Sequence, residues 1–191
     1  MKQFSLAKHE FPKTVCVYRG FLQQKYCDLI IDAYQRLEKI DNTGKNQDNL
    51  FDTNRTNWFA HDDPSVLEVA GQIFQAFGDG GVFDRIDCTK AKVYLHHSWI
   101  AESQAKAFVE PHHHGLNFYG CSWSFVFYAK IPNKKSSLVF QDKVHGKNEV
   151  IVREGDFLIF PSDFIHYSDD TCEGRMIYSG NFDTSLDRGE V

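Results

Sequence analysis

From Lys90 onward the hydrophobic period is two, and this restricts the second half of the chain to β-sheet. The runs Lys92–Trp99, Ser122–Ile131, Ser137–Gln141, Asn148–Arg153, Asp156–Phe160 and Arg175–Phe182 read as strands. The pairs Pro132-Asn133, His145-Gly146, Glu154-Gly155, Pro161-Ser162 and Glu173-Gly174 separate them as turns. In Ser122–Ile131, Trp123, Phe125, Phe127, Ala129 and Ile131 point one way, and Val126 and Tyr128 the other. A strand that is apolar on both faces must lie centrally, covered on both sides. Several short strands at this spacing predict a sandwich or a barrel.

Ahead of them the period is helical. Leu22, Tyr26, Leu29, Ile30, Ala33, Leu37 and Ile40 predict a helix over Phe21–Ile40, with Gly44 as a stop. The polar stretch Asp41–Asn57 reads as a long loop. Asp63 can cap a second helix that has Pro64 in its first turn. Val66, Ala70, Ile73, Phe74 and Phe77 form its apolar face, Gly78 its end, and Asp79-Gly80-Gly81 a turn. At 191 residues and 42% apolar, the chain is long enough to bury a core as one domain. The expectation is a single α+β domain over residues 1–191. A helical part over 1–90 packs on one sheet of a jelly-roll core over 91–183, and 184–191 form a tail.

The net charge of −5 supplies no basic footprint for nucleic acid. No apolar run is long enough for a membrane span, and MKQFSLAKHEFPK does not read as a signal peptide. Cys16, Cys27, Cys88, Cys121 and Cys172 are odd in number and form no C-x-x-C, which argues against a disulfide framework or a zinc ribbon. A reducing cytoplasm is the expected compartment.

Nine histidines stand in the chain, three of them consecutive: His112, His113 and His114. On an extended backbone residues 112 and 114 project to one face, so H-x-H places two imidazoles side by side. Neutral imidazole suits iron, zinc, nickel and copper, but a pair needs a third ligand from elsewhere. His166 is the best candidate, because Gly155-Asp156 opens an apolar strand that Pro161-Ser162 breaks just before it. One of His96 and His97 is expected to face inward; His9, His61 and His145 lie in polar or turn contexts and are expected in solvent.

At this point the chain resembles the Fe(II)/2-oxoglutarate-dependent dioxygenases, and among them the oxygenases common in bacteriophages and marine bacteria. The resemblance rests on Val17-Tyr18-Arg19-Gly20-Phe21-Leu22, Ser98-Trp99, Pro111–His114 and Ser124–Pro132. The most specific blocks are Phe160-Pro161-Ser162 with His166, and Gly174-Arg175 with Asn181-Phe182. It implies a double-stranded β-helix, iron held by strand-borne histidines, and 2-oxoglutarate and O2 as co-substrates. His112 takes the proximal and His166 the distal ligand position. Arg175, nine residues after His166, takes that of the 2-oxoglutarate anchor. A planar guanidinium suits that task, since it holds a carboxylate bidentately. For a phage-encoded chain the compartment is the host cytoplasm.

The family's usual H-x-D or H-x-E is here H-x-H. Three arrangements are open. His114 is the third ligand; or His113 is the proximal ligand and Gly115 leaves an open position; or Asp142 or Asp163 supplies the carboxylate. The first preserves face and geometry and is preferred. The activity implied is hydroxylation of an unknown primary substrate. Tyr94, Tyr119 or Tyr128 could add a hydroxyl to the 2-oxoglutarate carboxylate, and Ser179 or Asn181 could line the same pocket as Arg175. Asp41–Asn57 and Ile100–Val109 are lid candidates, with Asp52, Arg55 and Asn57 within reach of a substrate. Two rivals make different claims. A cupin-like metalloprotein needs no Arg175, and in a non-catalytic jelly-roll binding module the three histidines do not converge.

Overall fold

The computed structural model describes residues 7–11, 15–40, 53–79, 91–104, 109–114, 123–133, 136–142, 146–168 and 172–186. Strands β1 (Ala7–Phe11) and β2 (Val15–Phe21) precede helix α1 (Gln24–Arg36). Short strands β3 (Lys39–Ile40) and β4 (Thr53–Thr56) lead through a 3₁₀ turn at Ala60–Asp62 into helix α2 (Pro64–Asp79). Then come β5 (Ala91–Ser103), β6 (Val109–His112), β7 (Trp123–Lys130) and β8 (Ser136–Asp142). Strands β9 (Gly146–Val152), β10 (Asp156–Pro161), β11 (Ile165–Ser168) and β12 (Met176–Leu186) complete the order.

The strands form two antiparallel sheets. The larger has the order β1-β2-β10-β7-β12-β5-β4-β3, and the smaller β6-β11-β8-β9. Strand β7 occupies the centre of the larger sheet, between β10 and β12, as its two apolar faces require. Its alternate residues feed two cores. Phe125, Phe127 and Ala129 pack with Ile30, Ile73 and Phe77 of the helices. Val126 and Tyr128 face the smaller sheet and pack with Leu138, Phe140 and Val150. The helices therefore cover one face of the larger sheet, and the space between the sheets holds the second core and the site. The architecture is the expected α+β jelly roll.

Helix α2 starts as its residues dictate: the Ser65 amide donates to Asp63 Oδ1 at 2.8 Å. It runs one residue past Gly78, through Asp79. Helix α1 is shorter than its periodicity. Phe21 ends β2 opposite Asp156, and Lys39–Ile40 pair with Arg55 and Thr56. Ladder pairing at both ends claims residues whose spacing alone is helical, a tertiary override of local propensity. The same strand β4 occupies the end of the expected loop, while residues 41–52 lie outside the described part. Likewise Ile100–Ser103 of the expected lid belong to β5, and residues 105–108 are not described. The first ninety residues thus contribute strands as well as helices: β2 pairs with β10, and β1 with β2. Strand β12 continues through Leu186, paired with β5, where a tail was expected from 184.

Gly155 and Gly174, both in expected turns, sit at φ 86° and 75°, backbone that favours glycine. Gly180 is required for a different reason. A Cβ there would stand 2.6 Å from the His97 carbonyl oxygen and 2.6 Å from the Phe125 ring. The carbonyl belongs to the neighbouring strand and cannot swing away. Gly180→Ala is expected to cost about 1–3 kcal/mol of stability, read as a lowered melting temperature; an unchanged melt would contradict this packing.

Candidate metal centre

Strands β6 and β11 are antiparallel neighbours, with His112 directly opposite His166. Opposed residues have Cβ atoms about 5 Å apart, so their side chains meet. The two rings lie 4.3 Å apart between centroids. Strand β6 ends at His112. His114, two residues on, is held by its backbone N–H, which donates to the Ser162 carbonyl at 2.8 Å. Its ring lies 5.2 Å from that of His112 and 5.1 Å from that of His166. One donor nitrogen from each of the three lies within 4.8 Å of the others. His113 is exposed and outside this cluster, and Asp163 is exposed as well. Gly115 and the Asp142 side chain lie outside the described residues.

Each ring is oriented by an oxygen that can only accept. The Nδ1–H groups of His112 and His166 donate to the carbonyls of Glu110 at 2.7 Å and Phe164 at 2.8 Å. His114 Nδ1–H donates to Asn181 Oδ1 at 2.6 Å, and the Ser124 hydroxyl donates to the same oxygen at 2.8 Å. A proton on Nδ1 places the lone pair of a neutral imidazole on Nε2. Burial first, and then the neighbouring imidazoles, hold His166 well below the usual histidine range and His114 at about 4. Burial lowers His112 too. Neutral rings with one fixed tautomer are the form that coordinates a metal.

The same shifts set a pH dependence. Below about pH 6.5 the unfolded chain binds protons that the folded, metal-free protein excludes, so stability falls as pH falls. His114 contributes down to its folded value of about 4. Each excluded proton costs about 1.4 kcal/mol per pH unit. The melting temperature of the metal-free protein is expected to drop steadily between about pH 6.5 and 4.5, and His114→Gln to flatten that slope. A profile identical in parent and variant would overturn this origin.

A cavity of about 450 Å³ between the sheets contains all three histidines. Arg175, Ile177, Ser179 and Asn181 line one side of it, the face their alternation predicts. Arg175 is 2% exposed. It stands just before β12, and its Nη1 donates to Ser136 Oγ at 3.1 Å and Ser168 Oγ at 3.2 Å; Nε lies 3.4 Å from Ser103 Oγ. Among the described residues no carboxylate pairs with it. Ser168 is two residues beyond His166 on β11, so the strand that carries His166 also holds the guanidinium. Tyr128 lines the cavity too, and burial pushes its phenol up to about 12, leaving it a protonated donor at neutral pH.

The remaining expectations divide. His97 lines the cavity, whereas His96 pairs with Asp183 at 3.0 Å. His61 is not in solvent: it is half-buried, with Nδ1 2.9 Å from Ser98 Oγ. Tyr94 is exposed and outside the cavity lining. Asn57 turns its side-chain oxygen to the Phe59 amide, while Arg55 does line the cavity. Tyr119, Asp52 and His145 lie outside the described residues, as does the His9 side chain. Cys27 and Cys172 are free thiols. Sequence reasoning missed the three serines that hold Arg175. They come from β5, β8 and β11, and only Ser168, at i+2 from His166, carried a local signal. It also missed Trp58, whose place in the lining depends on the chain path after β4. No helix of the described residues is long and apolar enough to cross a membrane.

No protein-family model matches the sequence, and no curated protein matches it. Solved structures do match in fold. A prolyl-4-hydroxylase of Pseudomonas putida superimposes with a TM-score of 0.58 at 16% identity, over 94% of this chain and 91% of its own. The viral collagen prolyl hydroxylase of Paramecium bursaria Chlorella virus-1, solved as its 2-oxoglutarate complex, gives 0.60 at 13%, over 89% and 96%. HygX of Streptomyces hygroscopicus, solved with nickel, 2-oxoglutarate and hygromycin B bound, gives 0.60 at 13%, over 88% and 82%. With two antiparallel sheets closing on a histidine-lined cavity, the chain has the double-stranded β-helix fold of the 2OG-Fe(II) oxygenases.

Proposed function

We propose that this chain is an Fe(II)- and 2-oxoglutarate-dependent dioxygenase that hydroxylates its primary substrate, with His112, His114 and His166 as metal ligands and Arg175 as the 2-oxoglutarate anchor. One observation carries the reading. A buried guanidinium with no anionic partner among the described residues lines the same cavity as three neutral imidazoles, held by Ser168 two residues along β11 from His166. A buried cation demands an anion. A diacid bound at the histidine end would offer its far carboxylate to Arg175, which lines the same cavity. A metal centre without 2-oxoglutarate gives no reason to bury that charge. Solved neighbours with metal and 2-oxoglutarate bound support the same assignment.

The donor set, three imidazoles with their lone pairs on Nε2 and no carboxylate in the cluster among the described residues, accepts iron as it accepts zinc, nickel or copper. Bound there, the metal with 2-oxoglutarate and O2 supplies the oxidation of a C–H bond. The chain's own residues bind, orient and exclude water. Ser136 and Ser168 aim the guanidinium, and Tyr128 offers a protonated hydroxyl to the same carboxylate. Val126, Leu138, Phe160 and Ile177 form dry walls. The free thiols of Cys27 and Cys172 fit a reducing cytoplasm, and residues 1–191 are read as one catalytic domain.

Anaerobic titration with Fe(II) and 2-oxoglutarate tests the assignment. A weak visible charge-transfer band is expected, and on admitting O2 2-oxoglutarate is converted to succinate. Folded protein that gives neither overturns it. Asn181→Ala removes the acceptor that orients His114 and is expected to weaken Fe(II) binding about 10–100-fold. Unchanged Fe(II) affinity would leave Asn181 without that role.

A further inference from the structure

We propose that Arg55, with Trp58 and Trp99, forms a second anion subsite in this cavity, which takes the carboxylate of the primary substrate, a carboxylic acid with a flat or apolar body. The proposal rests on the reading of the histidine and Arg175 end as the metal and 2-oxoglutarate site.

Register places Arg55. It pairs with Ala101 of β5, Ala101 with Ile177 of β12, and Ile177 with Tyr128 of β7. All four line the cavity, so Arg55 ends a row that crosses the inner face of the larger sheet. Its guanidinium carbon lies 3.9 Å from the centroid of the Trp58 ring. Its hydrogen bond is a long one, 3.4 Å to the Thr56 carbonyl. Among the described residues no carboxylate pairs with it, and burial alone lowers its pKa. A stacked, half-buried guanidinium with most of its donors unclaimed among the described residues is prepared for a planar anion.

The aromatic rings connect this cation to the metal centre. Trp58 meets Trp99 edge to face at 5.0 Å, and Trp99 stacks on His114 at 5.9 Å and 25°. A molecule anchored at Arg55 lies along indole faces and ends at the histidines. Trp58 is 41% exposed and Phe59, beside it, 50% exposed, so this apolar path opens to solvent. An apolar body would cover it.

Charge points the same way. Among the described residues no Asp or Glu lines the cavity, although the chain as a whole is acidic. A divalent metal on three neutral imidazoles keeps both its charges. Dianionic 2-oxoglutarate offsets those, and two guanidiniums remain, so the loaded cavity is still positive. A substrate carboxylate lowers that excess by one charge, and Arg55 is the cation without an anion of its own among the described residues. One guanidinium beside apolar rings matches a carboxylate better than a phosphate dianion, which needs more donors than Arg55 supplies.

The test uses matched acid and amide pairs without an indole: cyclohexylacetate with cyclohexylacetamide, 3-phenylpropionate with 3-phenylpropionamide, and N-acetylphenylalanine with its amide. Each is titrated into anaerobic protein carrying Fe(II) and 2-oxoglutarate, with tryptophan emission as the readout and the charge-transfer band as a loading check. At least one acid is expected to bind about tenfold or more tightly than its amide. Arg55→Gln is expected to abolish that preference, and Arg55→Lys, which keeps the charge, to retain part of it. Equal binding of every pair, absence of binding by every acid, or a preference that survives in Arg55→Gln overturns the subsite. Failure of the band in wild-type protein counts against the metal and 2-oxoglutarate reading instead. Emission needs no metal, so it still scores Arg55 in that case.

Discussion

Arg175→Met is expected to leave the ligand-free protein at least as stable as the parent while removing 2-oxoglutarate binding. The guanidinium is 2% exposed and is met by serine hydroxyls. Three neutral hydroxyls do not replace the hydration of a full charge, so among the described residues the ion has no match in the ligand-free protein. Met fills much of the same volume without it. Stability should be unchanged or rise by about 1–4 kcal/mol, as when buried ions elsewhere are replaced by apolar side chains. With 2-oxoglutarate the sign reverses, because the far carboxylate would then be buried without its partner. Truncating one side of a buried charge pair costs about 2–5 kcal/mol, or roughly 30- to 4,000-fold in affinity. Thermal melts with and without 2-oxoglutarate measure both halves. A variant that melts lower than the parent in the absence of ligand and binds 2-oxoglutarate normally would make Arg175 a structural residue.

His166→Ala is expected to abolish the Fe(II)–2-oxoglutarate band and all succinate formation. Losing a hydrogen-bond partner of a metal ligand already costs 10–100-fold in affinity, so losing the ligand costs about 100-fold or more. His166 is the most buried of the three, with both other rings against it. Phe140 and Phe160 pack around it. His113→Ala serves as the contrast. That side chain is exposed and outside the cluster, and the band should persist. A band lost in both variants, or kept in both, would contradict the assignment of ligands.

The features legible in the sequence were those carried by neighbours along the chain. Period-two alternation gave the strands, and the two apolar faces of residues 123–131 gave the central place of β7. Asp63-Pro64 gave the start of α2, and the Gly155 and Gly174 turns stand where expected. H-x-H predicted a shared side for His112 and His114, and alternation from Arg175 to Asn181 predicted the face that lines the cavity. Less legible were features that depend on pairing between distant strands. β1 and β2 join the larger sheet through β10, and pairing at both ends shortens α1. His61 looked solvated because its neighbours are polar, yet Ser98, thirty-seven residues away, meets it.

The sequence by itself determined which residues could do chemistry: three histidines and one arginine at spacings that the alternation of strands turns toward one side. Only the tertiary structure decided that they line one cavity. The β6–β11 register sets His112 opposite His166, and Ser162 and Asn181 hold His114 beside them. Burial by both sheets makes the rings neutral and leaves Arg175 without a counter-charge among the described residues. Burial and register are properties of packed sheets, so no local spacing contains them. For that reason Arg55, one polar residue in what read as a loop, became part of the cavity only when β4 joined the sheet.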